Sequence, residues 1–277
     1  MNTLNKLRSL ASRPPLDRLL LRPAVRRSAA AVASLRFVPS AWATDRPLSF
    51  VAADLRHKGV GSYRLRGSDL TLVMRHDTGA RELLSEIFSS GCYGPDPGLL
   101  SSIPDAPKVL DIGANVGAFA AYAAMTWPTA EITCIEPDTD NLSALRLFAS
   151  LNPRLGIRIH EACAATSDGD VPFAAGGGAG SRVQEGGRPM SAMDVLPMIA
   201  ASGFVKMDID GSEWPILANS RLAAVGPTTL VMEYHRRFPG DKGAAGEAKR
   251  LLTAAEFRVT KLEPNYWGHG LIWGVHD

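Results

Sequence analysis

KVLDIGANVGAF, residues 108–119, decides the fold. Val109, Leu110 and Ile112 form the apolar run of a buried strand, Asp111 stands near its carboxyl end, and Gly113, Asn115 and Gly117 punctuate a turn from which a helix departs near Val116. Glycine admits positive φ and close backbone approach, and the helix after the turn presents unpaired N–H groups to whatever lies beyond the strand. Strand, glycine turn and helix in that order make the ligand-cradling corner of a parallel α/β sheet.

The identity of the ligand turns on two residues. A dinucleotide fingerprint, G-x-G-x-x-G, uses its middle glycine to let a pyrophosphate lie against the backbone, and Asn115 puts a side chain there. A second strand over 131–135 ends at Glu136, 23 residues beyond Gly113, where an acid reaches a ribose. Together they indicate a nucleoside without a diphosphate, and S-adenosyl-L-methionine is such a ligand.

Composition agrees with one large α/β core: 277 residues, 45% hydrophobic and 21% charged, with a net charge of +2. The charge is uneven, because residues 1–50 hold nine Lys or Arg against Asp17 and Asp45. Residues 1 to about 46, with Leu16, Leu19, Leu20 and Leu21, read as an amphipathic surface helix. An organellar targeting peptide and a membrane-surface or nucleic-acid contact share its composition, although no basic and aromatic track continues into the second half, so no nucleic acid is expected. Cys92, Cys134 and Cys163 lack disulfide or zinc spacing, which suits a cytoplasmic setting, and no apolar run reaches membrane-spanning length.

Three segments, DIGANVGAF (111–119), IEPD (135–138) and VKMDIDGSEWPIL (205–217), carry a resemblance to the FkbM-type methyltransferases of the class I S-adenosylmethionine-dependent group. The third is the most discriminating, a Lys-x-Asp-x-(Asp/Glu)-Gly-x-Glu run at the end of a fourth strand, with Asp210 where the family usually has Glu. The resemblance covers residue 61 onward. It implies a Rossmann-like, mostly parallel seven-stranded sheet and O-methylation of a small-molecule hydroxyl, on a natural product or sugar. It also implies that the segment after residue 80 lids the cofactor, which brings Glu86 and Tyr93 toward the methionine end or ribose; an aromatic in that loop also serves simply to pack.

Read in order, residues 1–60 form a basic helical extension and 61–277 the methyltransferase domain. The spacing predicts a hairpin over 61–75, helices over 80–88, 116–126 and 138–151, and a third strand over 157–164 whose end, Ala164, borders the adenine. A glycine-rich stretch over 176–187 reads as a mobile rim, followed by a helix over 193–199 and strands over 204–208 and 228–234. A helix over 244–257 and closing strands over 257–262 and 271–275 finish a doubly wound α/β sheet.

The expected cofactor-binding residues are Asp111, Gly113, Asn115, Gly117, Glu136, Pro137, Ala164, Asp208, Glu86 and Tyr93. Lys206, Asp208 and Asp210 alternate with period two and so share one face of the fourth strand. Asp208 is placed beside the sulfonium or ammonium group; Asp210 either joins the chemistry or caps the next helix; Lys206 either joins the site or pairs with a carboxylate. A hydroxyl acceptor needs a base, for which His235, with Glu233 on the same face, is the first candidate and His76 the reserve. Alternatively Asp208, Asp210 and a further acid gather a divalent metal, as in catechol-type methyltransferases. Two rival functions share these features: a nicotinamide-dependent oxidoreductase, and a non-catalytic protein that binds through its basic N-terminus.

Overall fold

A strand alternates its side chains between two faces, so Val109 must leave the β-sheet on the side opposite Leu110 and Ile112. Two hydrophobic cores result, one on each face of a central sheet. Val109 packs with Phe119, Phe148 and Phe204 in the first; Leu110 and Ile112 pack with Leu196, Ile216 and Leu252 in the second.

The computed structural model describes residues 35–277 except 96, 175–181, 184–185, 239 and 266–267. In chain order, α1 (Pro47–Leu55) precedes the hairpin of β1 (Val60–Arg64) and β2 (Thr71–Arg75), then α2 (Ala80–Leu84), which runs on as a π-turn over Ser85–Ser89. Strand β3 (Lys108–Ile112), α3 (Ala118–Thr126), β4 (Glu131–Ile135), α4 (Thr139–Leu151) and β5 (Arg158–His160) come next. They are succeeded by β6 (Cys163–Ala165), β7 (Gly169–Ala174), β8 (Arg182–Val183), β9 (Arg188–Asp194) and α5 (Leu196–Ala200). The chain ends through β10 (Phe204–Met207), α6 (Glu213–Leu217), β11 (Thr228–Tyr234), α7 (Ala244–Ala254), β12 (Arg258–Pro264) and β13 (Gly270–His276).

The seven-stranded sheet has the order β12-β13-β11-β10-β3-β4-β5 and is parallel except at β13, which runs antiparallel to both neighbours. It is the doubly wound, mostly parallel sheet expected. The chain builds outward from β3 through β4 to β5 and then returns to place β10 on the other side of β3. That reversal leaves a crevice at the carboxyl ends of β3 and β10, the switch point where ligands of open α/β sheets bind.

The region between β5 and β10 departs from expectation. The single strand over 157–164 is two strands: β5 ends on the main sheet and β6 joins a second, four-stranded sheet of order β6-β9-β7-β8. Residues 193–194 end β9, and only Leu196–Ala200 is helical. Pro172 and Pro189 lie opposite each other in the β7–β9 ladder, and proline normally argues against strand. Most of the glycine-rich 176–187 stretch lies outside the described residues, yet Arg182–Val183 pairs with β7 as an edge strand.

The expected N-terminal helix over residues 1–46 also lies largely outside the described residues. Helix α1, just beyond it, is packed into the first core. Phe50 of α1 meets Tyr63 and His76 edge-on, with ring centroids 5.0 Å away in each case, and Asp54 forms a buried ion pair with Arg81. The hairpin is tied to the far end of α4, where Thr71 N–H donates to Asn152 Oδ1 at 2.9 Å and Asn152 Nδ2 returns to Thr71 O at 2.9 Å. Among the described residues no helix is long and apolar enough to cross a membrane.

Candidate active site

A cavity of about 310 Å³ opens at the switch point, at the lower end of the range for small-molecule sites. The turn after β3 forms its floor. Gly113 N–H and Ala114 N–H both donate to Ile135 O at 2.9 and 3.0 Å, while Asp208 N–H donates to Ile112 O at 2.9 Å, so the turn is clamped between its two neighbouring strands. Gly113 has φ of 78°, and a Cβ there would stand 1.8 Å from Asp208 O. Only glycine lets the turns after β3 and β10 approach this closely.

Glu136 forms one wall. Its carboxylate is buried and accepts Asn115 N–H on Oε2 at 2.7 Å, with Asp138 N–H on Oε1 at 2.9 Å and Asn141 Nδ2 at 3.4 Å. Asn141 is held in turn by Arg75 Nη1 at 2.6 Å, a link from the hairpin to the cavity. Burial raises the Glu136 carboxyl to about 7, against the pull of these hydrogen bonds. Asn115 itself sits in the left-handed region at φ 51°, which asparagine tolerates, and its buried Oδ1 has no hydrogen-bond partner. Asn115 lines the cavity, and an orphaned acceptor on a lining residue is a feature that a ligand donor would satisfy.

Lys206 and Asp111 sit opposite each other on β10 and β3 and form a buried ion pair at 3.1 Å, while Lys206 Nζ also donates to Gly113 O at 2.7 Å. Lys206 thus pairs with a carboxylate and also lines the cavity. Burial opposes its charge, but Asp111 and Asp208 outweigh burial and raise its pKa. Beyond it Tyr93 O–H donates to Asp208 Oδ2 at 3.1 Å, and Glu86, lifted to about 7 by burial and then by Asp208, lines the same wall.

The opposite end is built from the rest of the 205–217 signature. Strand β10 stops at Met207, so the period-two argument does not extend to Asp210; a turn at φ 50° aims that side chain instead, with Oδ1 3.6 Å from His235 Nε2. The N-cap position of α6 belongs to Ser212 and not to Asp210. Glu213, fully buried, accepts Gly211 N–H at 2.8 Å and His235 N–H at 2.6 Å, and its Oε1 lies 3.4 Å from His235 Nδ1. Glu233 Oε1 lies 4.0 Å from His235 Nε2, and the His269 ring lies 4.9 Å from that of His235. Burial opposes charge on His235, but Glu213 and the other carboxylates outweigh it and lift its pKa to about 9. At about 9 the imidazole holds its proton at neutral pH, so His235 could serve as the expected base only once that proton has left.

Of the expected site residues, Gly113, Asn115, Glu136, Pro137, Ala164, Asp208, Asp210, Glu86, Tyr93 and His235 line one cavity. Three do not. Asp111 lies beneath Lys206. Gly117 packs against α4, where a Cβ would meet Leu145 at 2.7 Å and Phe148 at 2.8 Å. His76 is buried against Tyr63, with Tyr63 Oη 2.7 Å from its Nε2, and belongs to the hairpin core. Sequence reasoning missed Glu213 and His269. The final acid of the signature signalled the first; the Gly-His-Gly turn between β12 and β13 was the only signal for the second. Glu86, Glu136, Asp208, Asp210 and Glu233 line the cavity with Lys206 and two histidines; burial lifts Glu86 and Glu136 to about 7 and Glu233 to about 8, so the cavity grows more negative as pH rises through that range.

No protein-family model matches the chain. Over 95 residues it is 30% identical to methyltransferase sdnD of Sordaria araneosa, which covers 34% of this chain and 35% of that one, so the match spans about a third of the curated relative. Among solved structures, the crystal structure of methyltransferase FkbM from Methylobacillus flagellatus KT aligns at a TM-score of 0.45 and 18% identity, covering 87% of this chain and 60% of that one. A SAM-dependent methyltransferase from Aquifex aeolicus aligns at 0.36 and 13% identity, covering 68% and 98%.

Proposed function

We propose that this chain is an S-adenosyl-L-methionine-dependent methyltransferase of the FkbM type, acting on a hydroxyl of a small molecule. The observation that carries the proposal is the acid lining of the switch-point cavity: Asp208 and Asp210, with Glu86, Glu136 and Glu233 whose ionised forms a bound cation would favour, suit a sulfonium and an ammonium better than a pyrophosphate. Glu136 would take a ribose hydroxyl, Asn115 Oδ1 a second donor, and Pro137, Ala164 and Phe173 the adenine face. Asp208, held by Tyr93, and Glu86 lie where the cationic methionine end needs counter-charge. When bound, the cofactor supplies an electrophilic methyl group. The chain aligns the acceptor oxygen against Asp210, Glu233 and His235 and receives its proton on a carboxylate of that group.

Thermal denaturation tests the cofactor assignment. S-adenosylmethionine or its demethylated product at about a hundred times Kd should stabilise the protein by about 2.7 kcal/mol, raising Tm by roughly 5–10 °C, while reduced nicotinamide dinucleotide leaves it unchanged. The reverse pattern would point to an oxidoreductase instead. Incubation with labelled cofactor and candidate hydroxyl compounds, read as a single added methyl by mass spectrometry, tests the transfer.

The raised carboxyl of Glu136 adds a pH dependence with a definite sign. Ribose hydroxyls donate to the ionised form, so binding releases the proton that a group with pKa about 7 holds at lower pH. Between pH 6 and 8 the ionised fraction of such a group rises about tenfold, and affinity should rise with it. Calorimetry showing cofactor affinity flat or falling over that range contradicts the ribose role.

A further inference from the structure

We propose that Glu233, His235 and His269 bind a divalent first-row transition-metal ion at the acceptor end of the cavity. Their ligand atoms already lie within 4.8 Å of one another, and donors that share one ion at about 2.0–2.2 Å stand about 3–4 Å apart. Small side-chain rotations therefore close the set. Among the described residues this is the group that converges, whereas the alternative read from the sequence gathers Asp208, Asp210 and a further acid.

The support behind His235 is that of a metal ligand. Glu213 is fixed by two backbone N–H groups, from Gly211 at 2.8 Å and His235 at 2.6 Å, and its Oε1 faces His235 Nδ1 at 3.4 Å. That approach is an ion-pair distance and not a formed hydrogen bond, and a carboxylate on the Nδ1 side leaves the other ring nitrogen for a metal. Here the other nitrogen, Nε2, faces Glu233 at 4.0 Å and Asp210 at 3.6 Å, with the His269 ring tilted at 55° beside it. Asp210 reaches this place only through a backbone conformation unusual for a residue with a Cβ, φ 50°. The three ligands come from the end of β11, the residue after it, and the turn before β13, and all three line the cavity. Two imidazoles and a carboxylate suit manganese, iron, cobalt or zinc in the divalent state and not calcium or magnesium, which prefer oxygen donors. Metal binding stands independently of methyl transfer; its use in polarising an acceptor oxygen rests on the proposed function.

The test uses the full chain, stripped with chelator and desalted, then titrated with Mn2+ while free ion is followed by electron paramagnetic resonance, and with Zn2+ in competition. One saturable ion per chain is expected, with Zn2+ displacing Mn2+. Glu233→Gln and His269→Ala should each weaken it about 10–100-fold. Circular dichroism and melting of each metal-free variant show that the loss is not unfolding, and His269 in its turn is the safer of the two. Failure of the wild type to bind either ion, binding that neither folded variant weakens, or a preference for Mg2+ each overturns the proposal. S-adenosylmethionine binding measured on the same stripped protein separates the two readings, because a protein that binds the cofactor and no metal refutes this one alone.

Discussion

Gly113→Ala is expected to destabilise the protein by about 2–5 kcal/mol. The left-handed backbone at φ 78° costs a residue with a Cβ roughly 1–2 kcal/mol. Overpacking adds roughly 1–3 kcal/mol, because the Cβ would come 1.8 Å from Asp208 O and 3.2 Å from Ile209 Cγ2. The atom met first is backbone, and it belongs to a turn whose N–H is bonded to Ile112 O at 2.9 Å, so it has little room to retreat. Relief requires the turns after β3 and β10 to separate, and separation pulls Asp208 from Tyr93 and Lys206 from Gly113 O. Urea denaturation reads the cost directly. Gly246→Ala is the control, since that glycine lies inside α7, where a methyl group would meet no heavy atom within 4 Å beyond its own helix turn, and it should gain about 0.5–1 kcal/mol. Equal stability of the two variants would show that the close approach of the turns is not tight.

The same turn explains what the sequence made legible. Residues 108–119, 131–136 and 204–208 announce themselves because an apolar run, a glycine turn and a terminal acid are local signals, and parallel pairing of β3, β4 and β10 then fixes where those ends meet. Asp111 escapes that reading for a related reason: its position near the strand end is local, but the face it occupies depends on Lys206 across the ladder, and the two consume each other as a buried pair. The second sheet is hidden by Pro172, Pro189 and Gly169, residues that weaken strand patterns and that only pairing across β6, β7 and β9 accommodates. His235 is found by its place after β11, but not its charge, which is set by Glu213, Asp208 and Glu233 arriving from other positions. His269 is the extreme case. Its turn carries no pattern tying it to β11, from which α7 and β12 separate it along the chain, and only the antiparallel β11–β13 ladder brings Gly270 beside Tyr234.

Glu136→Ala should weaken S-adenosylmethionine binding by about 1.5–3 kcal/mol, roughly tenfold to a hundredfold, because a hydroxyl loses a charged acceptor. The geometry narrows what is lost. A carboxylate offers about four acceptor positions, and Asn115 N–H, Asp138 N–H and Asn141 Nδ2 occupy three of them. One position on Oε2 remains, so Glu136 can take one ribose hydroxyl directly and not two. Alanine also strands the N–H groups of Asn115 and Asp138, at about 1–3 kcal/mol each, so the fold will weaken along with the site. Glu136→Gln separates the effects. It keeps an acceptor oxygen and removes a charge that burial disfavours, as the rise to about 7 indicates, so its melting temperature should fall less than that of the alanine variant. Its cofactor affinity should still drop, and the drop should lose the pH dependence of the wild type: at pH 6 the wild-type carboxyl is mostly protonated and the two proteins bind alike, whereas at pH 8 the wild type gains and the glutamine variant does not. Calorimetry at those two pH values decides the matter, because a wild-type advantage that is absent, or equal at both, removes the ionised Glu136 from the binding of the ribose.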